Sequence, residues 1–153
     1  MTAQEYLKQV KTRGVSLDNL QRDKENIRQL MFSIGGGMGG ERVQTSRNND
    51  KIGTLYARVD EMERQIDEKL LELIEFKLTV TEKINGLNDA RYINLLYMRY
   101  VQFRSWDEIA ADMEYSTRHI LKLHKEALAE FGEKYKTMLQ EMSEETEGQE
   151  NDG

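Results

Sequence analysis

The stretch Ser105–Phe131, SWDEIAADMEYSTRHILKLHKEALAEF, decides how this chain is read. It predicts two short helices joined by a tight turn. Ser105 with Glu108 three residues on forms a capping-box pattern, the hydroxyl taking the N3 amide while the carboxylate returns to the cap. Ile109, Ala110 and Met113 then fall on one helical face. Tyr115 is expected as an apolar plug in the turn, and Ser116 offers a second N-cap. Behind that cap Ile120, Leu123, Ala127 and Leu128 recur at spacings of three and four, and Ala110 is small where the second helix must cross the first. On the opposite face Arg118, Lys122 and Lys125 sit at i, i+4 and i+7, flanked by Thr117, Leu121 and an outward His124. An inward apolar stripe backed by an outward basic one is what a helix-turn-helix needs to lay its second helix in the major groove of double-stranded DNA. The inward stripe also suits any capped αα-hairpin, and three cations on a helix also make an ordinary solvated face. The pattern alone leaves both readings open.

A resemblance bears on that choice. Leu96-Tyr97-Met98-Arg99-Tyr100, then Ser105-Trp106-Asp107-Glu108-Ile109-Ala110, Tyr115-Ser116 and Leu123-His124-Lys125-Glu126-Ala127-Leu128 resemble region 4 of the sigma-70 family. More closely, the chain resembles small sigma-like proteins of phages and prophages of Gram-positive bacteria, the ArpU/RinA-type late transcription regulators. In these a helical, coiled-coil-like half precedes the sigma-region-4-like helices, so the likeness extends over residues 1 to about 135, by architecture alone in the first half. The resemblance implies transcription regulation in phage or prophage gene expression, in the cytoplasm and nucleoid of a bacterial host. It places Thr117, Arg118, Leu121 and Lys122 of the helix beginning at Ser116 in slots facing bases or adjacent phosphates. Arg118 is the candidate for a bidentate guanine contact, and Lys122 and Lys125 for phosphates or a second base. It also implies bacterial RNA polymerase as a partner, through the β-flap that binds sigma region 4. One position departs from the pattern: Glu114 stands where helix-turn-helix units usually hold glycine, and a non-glycine residue in a left-handed turn costs on the order of 1 kcal/mol.

Composition sets outer bounds. The chain has 153 residues, no proline and no cysteine, with 33% charged residues. Without cysteine there is no disulfide framework, thiolate metal site or cysteine nucleophile, and an intracellular compartment fits. No apolar run reaches a membrane span, and MTAQEYLKQVK lacks a signal-peptide core. The net charge of −6 appears unfavourable to nucleic acid, but it is localised. Thr137–Gly153 holds six acids and no Lys or Arg; removing those six leaves 22 acids against 22 Lys and Arg in the rest. A neutral body can display a basic face.

Along the chain, residues 1–34 read as an N-terminal helix with Tyr6, Val10, Leu17, Leu20, Ile27, Met31 and Ile34 as its stripe, with a kink or break expected near Arg13–Ser16 because of Gly14. Residues 35–50, GGGMGGERVQTSRNND, read as a Gly-rich flexible loop; Gly40 is followed by Glu41 and Arg42, not by the Lys-Ser/Thr of a P-loop. Residues 51–87 read as a long amphipathic helix, with Ile52, Leu55, Val59, Met62, Ile66, Leu73, Phe76 and Val80 near heptad spacing and Leu70, Ile74 and Leu78 widening the stripe. Folding back of the first helix on this one gives a hairpin; self-association into a homodimer through the long helices is the rival, and the two can coexist. Residues 88–136 read as the helix-turn-helix domain, opened by an Asn88 or Asp89 cap and a helix over Ala90–Phe103. Arg104, just ahead of the Ser105 cap, is placed to meet backbone phosphate together with a helix N-terminus. Trp106, the sole tryptophan, reads as a core staple. Residues 137–153 read as an acidic disordered tail.

The fold expected is therefore all-α: a long coiled-coil-like N-terminal helical hairpin followed by a three- to four-helix sigma-region-4-like domain. His119 and His124 are five apart and make no metal pair, and no nucleophile lies near a base in sequence, so neither a metal, a cofactor nor an enzymatic activity is expected. Two other function classes fit the same residues. A small-terminase-like DNA-packaging subunit also joins such a motif to long helices, and a coiled-coil adaptor protein would make the basic face incidental.

Overall fold

The computed structural model describes residues 1–35 and 46–150. Regular structure among these is helical throughout: α1 (Ala3–Gly35), α2 (Ser46–Asn85), α3 (Ala90–Leu96), a π-helical turn (Tyr97–Val101), α4 (Trp106–Met113), α5 (Thr117–Lys134) and α6 (Lys136–Glu150). No described helix is long and apolar enough to cross a membrane. The chain divides into two compact units, one of Arg13–Ile74 and one combining Met1–Thr12 with the residues from Glu75 onward.

Residues 13–74 are the arms of a hairpin. The Arg28 guanidinium pairs with Glu63, and Ile34 shares a shallow cavity with Asp50, Lys51, Thr54 and Leu55, so the α1 and α2 portions run antiparallel. Leu17 and Met31 on one arm and Val59, Met62 and Ile66 on the other are buried. These five fall on the apolar stripes expected from spacing. Two expectations fail here. α1 passes through Gly14 without a break; the position faces open space, and a penalty of about 1 kcal/mol is absorbed by the turns on either side. The loop expected over 35–50 is shorter, because Gly35 belongs to α1 and Ser46–Asp50 to α2; residues 36–45 lie outside the described residues.

The second unit encloses a core to which all six helices and the π-turn contribute. From α1 come Ala3, Tyr6, Leu7 and Val10, from α2 Val80 and Ile84, and from the later helices Leu95, Leu96, Ile109, Ile120, Leu123, Ala127, Phe131 and Leu139. Tyr6 meets Phe76 edge-on at 5.4 Å and stacks on Phe131 at 5.9 Å, which ties the first helix to the fifth. α2 ends at a latch. Gly86 follows it, the Lys134 ammonium donates to the Gly86 carbonyl, and the Tyr135 hydroxyl donates to the Lys83 carbonyl at 2.6 Å. A Cβ on Gly86 would run into that tyrosine hydroxyl. Asp89 caps α3 by accepting from the Arg91 amide.

The helix expected over Ala90–Phe103 is three pieces instead. α3 stops at Leu96, the π-turn follows, and Gln102–Arg104 are irregular, with Phe103 at a φ of 57°. The wider turn lets Met98, Tyr100 and Val101 all point inward. Gln102 and Arg104 amides donate to the Tyr97 and Met98 carbonyls, so the irregular backbone stays satisfied.

The tail is corrected too. Lys136–Glu150 is helical, with Leu139 buried and Met138 and Met142 packed against the core. The physical reason is a stripe at spacings of three and four that the acid count obscured; the acids occupy the outer side. The N-terminal ammonium donates to the Ser143 hydroxyl, fastening α6 beside the start of α1.

Candidate functional site

The candidate site is built on α4 and α5. Ser105 accepts from the Glu108 amide and Ser116 from the His119 amide, so each helix starts at the serine its sequence specified. Between them α4 closes on Glu114 in the left-handed region, φ 59° and ψ 38°, with its amide donating to the Ala110 and Ala111 carbonyls and the Tyr115 amide donating to the Ala110 carbonyl. The turn that ordinarily favours glycine is therefore kept, with the strain that a side chain brings.

α5 has two opposed faces. Ile120, Leu123, His124, Ala127 and Phe131 are buried, packing with Ile109 and Ala110 of α4 into the common core. Arg118, Leu121, Lys122 and Lys125 are exposed. At 100° per residue these four span about a third of the helix circumference, and none of the three cations forms an ion pair with another described residue. The result is a ridge of three positive charges flanked on one side by an apolar side chain, Leu121. Ser116 and Thr117 stand at its N-terminal end, where the Thr117 hydroxyl donates to the Asp107 carboxylate at 3.3 Å and ties the two helices across the turn.

Arg104 stands apart from that ridge. Its guanidinium lies 3.7 Å from Glu108 and 3.5 Å from Asp112 and donates to the Met98 sulfur. Two carboxylates of α4 already balance the charge intended for a phosphate. This side chain staples the irregular 102–104 segment onto α4.

His124 is the clearest reversal. Read from sequence as pointing outward, it is 7% exposed. Its Nε2 lies 2.7 Å from the Tyr100 hydroxyl, and its ring meets Trp106 edge-on at 4.6 Å. Burial, reinforced by Arg99 and Lys8, pushes the His124 pKa down to about 4, so the ring is neutral near pH 7. Tyr115 is half on the surface and tilts over His119 at 4.5 Å rather than plugging the turn. Trp106 is partly buried against the core, and Arg99 lies over its ring at 4.1 Å.

A second convergence of cations was invisible along the sequence. Lys8 and Lys11 of α1 and Arg99 of the π-turn border a cavity of about 250 Å³ in the same compact unit. Nearly ninety positions separate the lysines from the arginine, and no local spacing brings them together.

Comparison with curated proteins and comparison with solved structures give no match. A family model described as "Protein of unknown function (DUF1492)" matches residues 35–132, which takes in α2, α3, α4 and all but the last two residues of α5. The chain belongs to the DUF1492 family.

Proposed function

We propose that the chain is a DNA-binding transcription regulator in which α4 and α5 act as a sigma-region-4-like helix-turn-helix and α5 enters the major groove. The observation that carries this reading is the α5 ridge: Arg118, Lys122 and Lys125 unpaired beside Leu121 on a helix whose other face is sealed into the core. A helix held rigidly by its back can present fixed donors to base edges, which a mobile helix cannot do. Arg118, nearest the helix start, serves as the base reader, Lys122 and Lys125 neutralise phosphates, and Ser116 and Thr117 set the entry angle. No catalytic step belongs to this reading. Bacterial RNA polymerase is the protein partner that goes with it, and phage or prophage expression the setting.

The long helices supply a dimer contact. Leu70, Ile74 and Leu78 recur every four residues on α2 and are exposed, and a second copy would cover them. The same exposed stripe also favours a second reading, a coiled-coil adaptor without DNA, and a packaging subunit of the small-terminase kind would use it to close a ring.

Fluorescence anisotropy with duplexes from the neighbourhood of the coding gene, a scrambled duplex and a salt series tests the proposal. Binding should prefer one duplex and weaken as salt rises. Arg118→Ala should remove about 1–3 kcal/mol of discrimination while leaving helicity unchanged. Equal affinity of wild type and Arg118→Ala/Lys122→Ala for every duplex, with and without polymerase, sinks it and leaves the adaptor. Solution mass separates a dimer from a ring.

A further inference from the structure

We infer that the cavity between α1 and the π-turn, bordered by Lys8, Lys11, Arg99, Tyr100 and Phe103, is a binding site for a phosphate-type oxyanion carried on a flat apolar body. It is separate from the α5 ridge and does not rest on the reading of that ridge.

The charge of the cavity is the first argument. Three cations line it and no carboxylate does, in a chain where acids outnumber Lys and Arg by 28 to 22. The Glu5 carboxylate, one turn from Lys8 and within its field, accepts from the Thr2 amide and lies outside the lining. Like charges gathered without a counter-ion repel one another, and an oxyanion among them removes that repulsion.

Arg99 is the second. Its guanidinium is fixed on one side by the Trp106 ring and on another by donating from Nη1 to the Arg104 carbonyl at 3.0 Å. It is only partly exposed, yet no carboxylate pairs with it. A half-buried, oriented and unpaired guanidinium has donors left over, and its planar fork matches phosphate oxygens. Lys8 and Lys11 add two point charges from one face of α1.

The walls supply the rest of the ligand's description. Leu7 is fully buried behind the cavity, and Tyr100 is buried beside it with its hydroxyl 2.7 Å from His124 Nε2. Phe103 stands at the rim, 46% exposed, in the left-handed region at φ 57°. A bulky aromatic residue there is strained, and the strain places its ring at the cavity edge instead of in the core. His124, behind Tyr100, stays neutral in the field of Arg99 and Lys8, so it adds no charge of its own. A cavity of about 250 Å³ has room for one ring and one phosphate group. Such a group can come from a free phosphate ester or from a nucleic-acid strand.

Trp106, the only tryptophan, touches Arg99 and reports on the cavity. Its fluorescence should change saturably with phenyl phosphate, and with inorganic phosphate about tenfold more weakly, while sodium chloride at matched ionic strength does neither. Lys8→Gln/Lys11→Gln, at two exposed positions, should weaken phenyl phosphate at least about tenfold with unchanged circular dichroism. Phe103→Gly should raise the melting temperature and erase the preference for phenyl phosphate over inorganic phosphate. A response that sodium chloride reproduces, or wild-type affinity in the double lysine variant, overturns the site. Displacement of phenyl phosphate by duplex DNA in wild type assigns the oxyanion to a strand; no displacement assigns it to a free ester. Arg118→Ala/Lys122→Ala should leave phenyl phosphate binding intact, which separates this site from the α5 ridge.

Discussion

Among the described residues of 13–74 five apolar side chains are buried, while eight large ones (Val15, Leu30, Phe32, Ile34, Tyr56, Leu70, Leu71 and Ile74) stay exposed. In the unit formed by Met1–Thr12 and the residues from Glu75 onward the balance is reversed: nineteen are buried and four large ones are exposed. Both regions are charged, helical and free of proline. What separates them is the number of helices that converge. Two antiparallel helices cover one stripe each and leave much of what lies beside the seam in water, whereas six helices enclose a volume. An apolar residue on a long helix is thus evidence of a partner only after the first stripe is accounted for, and Leu70 and Ile74 lie beyond it.

The comparison can be broken from either side. The largest effect is expected at Phe131, fully buried between Tyr6 and Tyr135. Phe131→Ala should cost about 3–5 kcal/mol in urea unfolding followed at Trp106. An effect below about 1 kcal/mol would mean the six-helix core is no better packed than the arms. Next is Leu70→Glu/Ile74→Glu in the arms. If a second copy covers them, sedimentation should show the dimer lost, while monomer stability changes by about 0.5 kcal/mol or less, as for exposed sites. A dimer that survives the double change places the contact elsewhere.

A smaller effect sharpens the account of the core. His124 titrates lower folded than unfolded, so between about pH 6.5 and 4 the unfolded chain binds more protons. Stability should be highest above pH 6.5, fall as pH drops through that window and level off below about 4. The loss expected across that window is about 1–2 kcal/mol. His124→Gln should flatten the dependence in that window. The smallest change is at the α4–α5 turn. Glu114→Gly should release left-handed strain and gain up to about 1 kcal/mol in thermal unfolding, offset in part by the freer unfolded chain.

Local chemistry was legible. Ser105 and Ser116 cap where the spacing placed them, Glu114 takes the left-handed position its neighbours demand, and the outward set Arg118, Leu121, Lys122 and Lys125 is exposed. Each depends on residues within one or two turns. What failed depends on distant residues. His124 lies at the edge of the buried arc of α5, and only Tyr100 and Trp106, closing over that edge, take it inside. The ion pairs of Arg104 with Glu108 and Asp112 could not be read along the chain, because these carboxylates face it only once the 102–104 segment bends back. The π-turn and the strained Phe103 left no mark in composition, since no glycine or proline announces them. Three apolar residues of α6 were outweighed by the acids beside them, although burial needs a stripe and not a majority.

Tyr6 stacks on Phe131, 125 positions further along the chain. During synthesis that interval must be translated, and the α5 segment must clear the ribosome, before the first helix can find its place. At about 5–20 residues per second, Tyr6, Leu7 and Val10 wait for several seconds in water or against a chaperone. Delay at the ribosome, more than stability once folded, is where a truncated or slowly translated copy of this chain should aggregate.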